Sequence, residues 1–152
     1  MRIGIAADHR GYDLKEKIIK YLEDKGYTVV DYGTNSSDSV DYPDFGLILG
    51  QKFVEKEYDL GIGICGTGIG ISIACNKIKG VRCAKTDNPD DARMAREHNN
   101  ANIIAMSSNK TFDEAKNMIN LFLETDFSNE ERHQRRVNKI KSYESKETYN
   151  ER

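Results

Sequence analysis

The stretch LGIGICGTGIG at residues 60–70 decides the fold of this chain. Residues 60–64 are apolar or glycine and predict a short buried strand. Gly66, Gly68 and Gly70 follow at once and predict a tight turn that opens a helix. A strand that leads through a turn into a helix is typical of α/β proteins with a parallel sheet.

The same alternation of strand and helix continues on both sides of this stretch. Apolar runs predict five strands, at residues 2–7, 27–32, 60–64, 81–85 and 101–106. Helices are predicted between and after these strands. Apolar residues at helical spacing mark the first two helices, at Leu14, Ile18 and Leu22 before Gly26, and at Phe45, Leu49 and Phe53. The next helix ends near Lys77, another has Pro89 in its first turn, and a capping box from Thr111 to Glu114 opens the one after it. We therefore predict an α/β fold with a five-stranded parallel sheet covered on both faces by helices.

The remaining segments complete a single predicted domain over residues 1–152. Residues 33–44 contain Gly, Asn, Ser, Asp and Pro and predict a loop. After the capping box, one helix face is apolar, formed by Ala115, Met118, Ile119, Phe122 and Leu123. A basic helix is predicted at about 130–143, and the polar tail at 145–152 is expected to fray.

Composition narrows the class of protein and its surroundings. The net charge of −2 does not favour general binding to nucleic acid or to membranes, and no run approaches the roughly 18 apolar residues of a membrane span. No signal peptide is recognised after Met1. The three cysteines form an odd number without metal-like CxxC spacing, which fits a reducing compartment. We predict a soluble cytoplasmic protein without nucleic-acid or membrane partners.

The carboxyl ends of the strands are the expected ligand site, as in other open parallel sheets. Four predicted loops follow strands there, at Asp8-His9, Cys65 to Gly70, Asp87-Asn88 and Ser107 to Lys110. Backbone N–H groups of the glycine turn can bind an anion at the helix start. Gly61, Gly63 and Gly66 also match a dinucleotide fingerprint, but two of them lie inside the strand rather than in the turn, so we reject it.

Cys65 is the candidate reactive group of this turn. It ends a strand in front of helix amides, which favour the thiolate form. Cys75 and Cys83 are interpreted as buried filler. We expect the loops to gather Asp8, His9, His98 and Cys65 into an acid–base cluster at one sheet edge, and we find no metal-ligand pattern.

Two arginines stand four residues apart in the basic helix. Arg132 and Arg136 share a helix face, and arginine pairs can clamp a phosphate. Composition alone favours a solvated charged face instead. Both interpretations stay open at this point.

Several short motifs together resemble the ribose-5-phosphate isomerase B family. In order they are DH at 8–9, DYP at 41–43, ICGTGIGIS at 64–72, NK at 76–77, REHN at 96–99 and RHQRRV at 132–137. The resemblance covers about residues 1–140. It implies a Rossmann-like three-layer α/β/α subunit and a homodimer, with a tetramer as the alternative assembly, whose active sites are shared between subunits. It implies no metal and no organic cofactor.

The resemblance also implies roles for individual residues in an aldose–ketose isomerisation. Cys65 is the base that moves a proton between C1 and C2, and His98 with Asp8 helps to open the sugar ring. The enediolate oxygen is held by Asn99 and by the turn, which consists of Gly66, Thr67, Gly68, Ile69 and Gly70. Thr67 also shuttles hydroxyl protons. The remaining substrate contacts are Tyr42 on the sugar and His9, Arg132 and Arg136 on the phosphate.

Two positions refine the resemblance. A branch of the family without the cysteine carries a glutamate six positions later, which is Ile71 here, so the chain resembles the cysteine branch. The arginine that usually follows the fifth strand is Asn109 here, with Lys110 next to it as a substitute of different shape. The alternatives are an isomerase for a six-carbon sugar phosphate, such as allose 6-phosphate or galactose 6-phosphate, and a phosphosugar-binding regulatory protein.

Overall fold

The computed structural model describes residues 1–145. Its strands and helices alternate as predicted: β1 (Arg2–Ala7), α1 (Tyr12–Asp24), β2 (Thr28–Asp31), α2 (Tyr42–Val54), β3 (Leu60–Cys65), α3 (Ile69–Asn76), β4 (Cys83–Lys85), α4 (Pro89–Glu97), β5 (Ile103–Ser107), α5 (Phe112–Glu124) and α6 (Glu131–Ser145). Beyond Ser145, the tail predicted to fray lies outside the described residues. No helix within the described part of the chain is both long and apolar enough to cross a membrane.

The sheet is parallel throughout, in the order β2-β1-β3-β5-β4. One of its faces packs against α1, α4 and α5, and the other packs against α2 and α3. The three-layer α/β/α fold is therefore confirmed. From β1 the chain continues to β2 at one side of the sheet, and from β3 it continues to β4 and β5 at the other side. The carboxyl ends of β1 and β3 therefore form the switch point at which such sheets bind ligands.

Hydrophobic burial and capping explain why the elements form where they do. The predicted apolar face of α5 is buried, with Ala115, Met118, Ile119 and Phe122 at 0% exposure. The Thr111 hydroxyl accepts the Glu114 N–H at 3.1 Å, and the Glu114 carboxylate accepts the Thr111 N–H at 3.0 Å. This reciprocal pair is the predicted capping box and fixes the start of the helix.

Several predicted element bounds differ from the structure, and strand β5 runs from Ile103 to Ser107 rather than over 101–106. The loop predicted for residues 33–44 ends early, because α2 already begins at Tyr42 and Pro43 occupies its first turn. Strand β4 starts at Cys83 rather than at Val81, whose N–H bonds to the Ile78 carbonyl in a turn. The basic helix runs two residues further than predicted, from Glu131 to Ser145.

Candidate active site

A cavity of about 270 Å³ lies at the carboxyl ends of β1 and β3. The two strands bring their loops together directly, since the Asp8 N–H donates to the Ile64 carbonyl at 3.1 Å. Seven predicted site residues line the cavity, namely Asp8, His9, Tyr42, Cys65, Gly66, Thr67 and Gly70. The predicted ligand edge of the sheet therefore contains a recess that joins a thiol, a carboxylate and an imidazole.

Cys65 lies at the floor of this recess with 3% of its surface exposed. Its Sγ accepts the N–H of Gly68 at 3.2 Å. Gly68 adopts φ 79°, and a Cβ there would lie 2.8 Å from the Met106 carbonyl carbon, so only glycine fits. The turn thus directs a backbone N–H at the sulfur and fixes the position of the thiol.

The rest of the glycine turn is held by β5 and by α2. The Ser107 hydroxyl donates to the Gly66 carbonyl at 2.7 Å. A Cβ on Gly70 would lie 2.5 Å from the Tyr42 ring, so the absence of a side chain lets the tyrosine lie against the turn. Thr67 Oγ1 accepts the Ile69 N–H at 3.1 Å, which leaves its own hydroxyl proton available.

Asp8 and His9 form the wall on the β1 side. Asp8 is 5% exposed, and its Oδ1 accepts the N–H groups of Arg10 and Gly11 at 3.0 and 3.1 Å. One carboxylate oxygen is therefore committed to the turn that leads into α1. The Nδ1 of His9 lies 3.2 Å from both the backbone nitrogen and the carbonyl oxygen of Val40. One tautomer of the ring therefore accepts the Val40 N–H, and the other donates to the Val40 carbonyl.

His98 lies near the amino ends of the strands, the edge of the sheet opposite to the carboxyl ends where Cys65 lies. It caps the end of α4 just before β5, and Gly61 at the start of β3 donates to Asn102 in this region. Cys65 is four residues further along β3, about 13 Å at roughly 3.3 Å per residue. The prediction that one chain gathers His98 with Asp8, His9 and Cys65 is wrong, because a helix that starts at the carboxyl edge returns the chain to the amino edge.

Asn99, Arg132 and Arg136 belong to this opposite edge as well. The His98 ring stacks on His133 of α6 with 4.4 Å between ring centroids, and Asn99 is next to His98 in the chain. Arg132 pairs with Glu130 at 3.1 Å and is 59% exposed. Exposed Arg136 makes no hydrogen bond or ion pair with another described residue. One chain therefore holds two separate groups of predicted site residues.

His133 couples α6 to this edge. It is 5% exposed, and its Nδ1 lies 2.6 Å from the Ser128 hydroxyl oxygen. Desolvation holds the pKa of His133 below its usual value, and the neighbouring His98 and Arg132 lower it further. The folded protein therefore prefers the neutral ring.

Acidification should weaken the attachment of α6 through His133. Between the lowered pKa and the unfolded value of about 6.5, the unfolded chain binds more protons, so the free energy of unfolding decreases as the pH falls through this window. Urea unfolding at pH 7.5 and 5.5 should show a larger loss for the natural chain than for His133→Gln. Equal losses would assign the acid sensitivity to other groups.

Comparison with known proteins identifies the family. A family profile described as Ribose/Galactose Isomerase matches residues 3–140. The chain belongs to this family. A probable ribose-5-phosphate isomerase B from Mycoplasma genitalium is 44% identical over 149 residues, 96% of this chain and 97% of the relative. A putative sugar phosphate isomerase from Bacillus subtilis, YwlF, is 40% identical over 148 residues, 96% of this chain and 99% of the relative.

Solved structures of ribose-5-phosphate isomerase B share the fold. The Clostridium thermocellum protein superposes with a TM-score of 0.92 and 48% identity, covering 96% of this chain and 99% of its own. The Mycoplasma genitalium protein with bound ribulose-5-phosphate gives 0.90 and 42%, covering 95% and 97%. Placement of this chain in the ribose/galactose isomerase family thus rests on both sequence and structure.

Within this ribose/galactose isomerase, the loop after β5 faces a neighbouring recess. Asn109 and Lys110 line a cavity of about 520 Å³ together with Lys85 and Asp87. The Lys110 ammonium donates to the Asp87 carbonyl at 2.6 Å. Lys110 is therefore occupied by the loop after β4 and does not line the Cys65 cavity.

The sequence interpretation gave no site role to three residues that line the Cys65 cavity, namely Arg10, Val40 and Asp41. Arg10 is the cation among them, and no motif marks it. The only available signal was its position directly after Asp8-His9, in a loop that was already expected at the ligand edge.

Proposed function

We propose that this protein is a ribose-5-phosphate isomerase that interconverts ribose 5-phosphate and ribulose 5-phosphate through an enediolate. The observation that carries the proposal is the buried Cys65 thiol, which accepts an amide hydrogen bond inside a cavity at the sheet's switch point. Relatives that span nearly the whole chain are named for this activity, and one solved relative holds ribulose-5-phosphate. The reaction moves one proton between carbons and needs no redox partner.

Cys65 acts as the base in this proposal. The thiolate removes the C2 proton of the open-chain aldose and returns it to C1, while a hydroxyl proton moves from O2 to O1. Thr67, with its free hydroxyl proton at the cavity, is placed to carry that second transfer. The intermediate is an enediolate, whose negative oxygen needs donors that are already in position.

The turn from Gly66 to Gly70 supplies such donors. The start of a helix leaves N–H groups without intrahelical partners, and α3 starts here. Each donor aimed at a developing oxyanion can contribute about 3 kcal/mol. The close backbone contacts of Gly68 and Gly70 hold the turn in this conformation. The same turn can therefore hold the Cys65 sulfur and stabilise the enediolate.

A second copy of the chain completes each site. The predicted partners His98, Asn99, Arg132 and Arg136 lie at the edge opposite Cys65, so one chain cannot bring them to its own thiol. An apolar surface borders the Cys65 turn, where Ile69 and Ile73 of α3 are 53% and 55% exposed and Leu47 of α2 is 40% exposed. We propose a homodimer that buries this surface and places the second copy's residues at the cavity.

In this proposal, the second copy contributes two guanidinium groups and an imidazole to the substrate site. His98 with Asp8 opens the sugar ring, and Asn99 helps to hold the enediolate oxygen. Arg132 and Arg136 bind the phosphate opposite His9, since guanidinium forms strong paired hydrogen bonds to phosphate oxygens. Tyr42, against Gly70, contacts the sugar.

Assaying the purified protein on ribose 5-phosphate and allose 6-phosphate tests the proposal. We expect kcat/KM for the five-carbon substrate to be higher by about 10-fold or more, because an extra carbon and hydroxyl must fit between the proposed base and the proposed phosphate-binding groups. A higher value for allose 6-phosphate would establish the six-carbon alternative. Binding of both sugars without turnover would establish a regulatory phosphosugar-binding protein.

A further inference from the structure

Arg10 places a guanidinium beside the Cys65 turn. A Cβ on Gly66 would lie 2.9 Å from Arg10 Cδ and 3.0 Å from its Nη1, so the side chain lies directly over Gly66. Arg10 also lines the same cavity as Cys65 and His9. The group is thus a charge at the candidate site, next to the amides proposed to bind the enediolate.

The Arg10 guanidinium makes no hydrogen bond or ion pair with any residue from 1 to 145. The carboxylates that line its cavity belong to Asp8 and Asp41, and neither pairs with it. One Asp8 oxygen instead accepts the Arg10 backbone N–H at 3.0 Å. Five N–H donors over a glycine turn therefore remain available to a ligand.

The backbone that carries Arg10 is fixed in place. Asp8 holds the N–H groups on both sides of the residue, and a Cβ on Gly11 would lie 2.6 Å from the Ile64 side chain. The guanidinium therefore extends from an ordered turn into the cavity mouth.

We propose that Arg10 binds the phosphate group of the substrate and contributes, with Arg132 and Arg136 of the second copy, to the preference for phosphorylated sugars. The proposal rests on the proposed isomerase function. Lys110 does not line this cavity and its ammonium is bound to the Asp87 carbonyl, so the nearby lysine does not take this place. Guanidinium recognises phosphate through paired hydrogen bonds, and Arg10 is an unpaired guanidinium in the same cavity as His9.

The test compares Arg10→Ala and Arg10→Lys with Lys17→Ala. Lys17 is an exposed cation of α1 without a partner among residues 1–145, so its loss removes the same charge away from the cavity. We expect Arg10→Ala to raise KM for ribose 5-phosphate by about 10- to 100-fold with little change in kcat, because a charged hydrogen-bond partner is lost. Arg10→Lys should recover part of the loss, and Lys17→Ala should match the natural chain. An unchanged KM in Arg10→Ala would overturn the proposal.

Binding of inorganic phosphate separates this proposal from the activity itself. Calorimetric titration of the natural chain and of Arg10→Ala needs no turnover. Weaker phosphate binding by Arg10→Ala alone, compared with Lys17→Ala, supports the role of Arg10 even if ribose 5-phosphate is not isomerised. Equal phosphate affinity in all three chains would contradict it even if the isomerase activity is present.

Discussion

Replacing Cys65 with alanine should leave a folded protein that binds ribose 5-phosphate and isomerises it about 100- to 10,000-fold more slowly. The buried Sγ with its Gly68 amide is the group that we propose to move the proton. Alanine keeps the strand and the turn but has no acid–base group. The decisive measurement is exchange of the C2 hydrogen with solvent deuterium, followed by proton NMR.

Cys75→Ala is the matched control. Cys75 is also a buried thiol, and its Sγ donates to the Gly46 carbonyl at 3.3 Å in the layer formed by α2 and α3. This variant should lose some stability and keep most of its activity. If Cys65→Ala exchanges the C2 hydrogen at the normal rate while Cys75→Ala behaves as expected, the base is a group other than Cys65.

The fold could be predicted from the sequence because its local signals agree with the tertiary structure. In α5, the capping residues Thr111 and Glu114 and the apolar face from Ala115 to Leu123 all specify the same helix, which the structure confirms. The strand at β1 is likewise a short apolar run with no competing pattern. Where propensity, pattern and capping coincide, a single sequence suffices.

Element ends were less predictable because burial outweighs local composition there. Pro43 belongs to a stretch rich in loop residues, yet it sits in the first turn of α2, where its missing N–H costs nothing. Val81 continues an apolar run, but its N–H is used in a turn before β4. Whether Pro43 belongs to a loop or a helix, and Val81 to a strand or a turn, depends on how the neighbouring elements pack.

The candidate site could be predicted only in part. The Cys65 half follows from the rule that ligands bind where parallel strands end. The position of His98 required the direction of α4 to be followed to its end, and motif order alone placed it wrongly. Arg10 could not be found because its contact with Gly66 depends on side-chain packing that no spacing encodes.

Mixing two inactive variants should restore activity if a second copy completes each site. In Cys65→Ala the proposed base is lost, and in the double variant Arg132→Ala, Arg136→Ala the phosphate clamp is lost. These residues lie at opposite edges of one chain, so a mixed dimer contains one site with both defects and one site with none. Co-expression with two different tags would give all three dimers.

The recovered activity should reach about a quarter of the natural value, because half of the dimers are mixed and each mixed dimer has one intact site of two. Isolating the doubly tagged dimer should raise this fraction to about half. The arginine variant alone should be impaired mainly on phosphorylated sugar. Activity equal to the average of the two separate variants, with mixed dimers present, would show that each site is built within one chain. The geometry argues against that outcome, because no helix among residues 1–145 returns Arg132 or Arg136 from the amino edge of the sheet to Cys65.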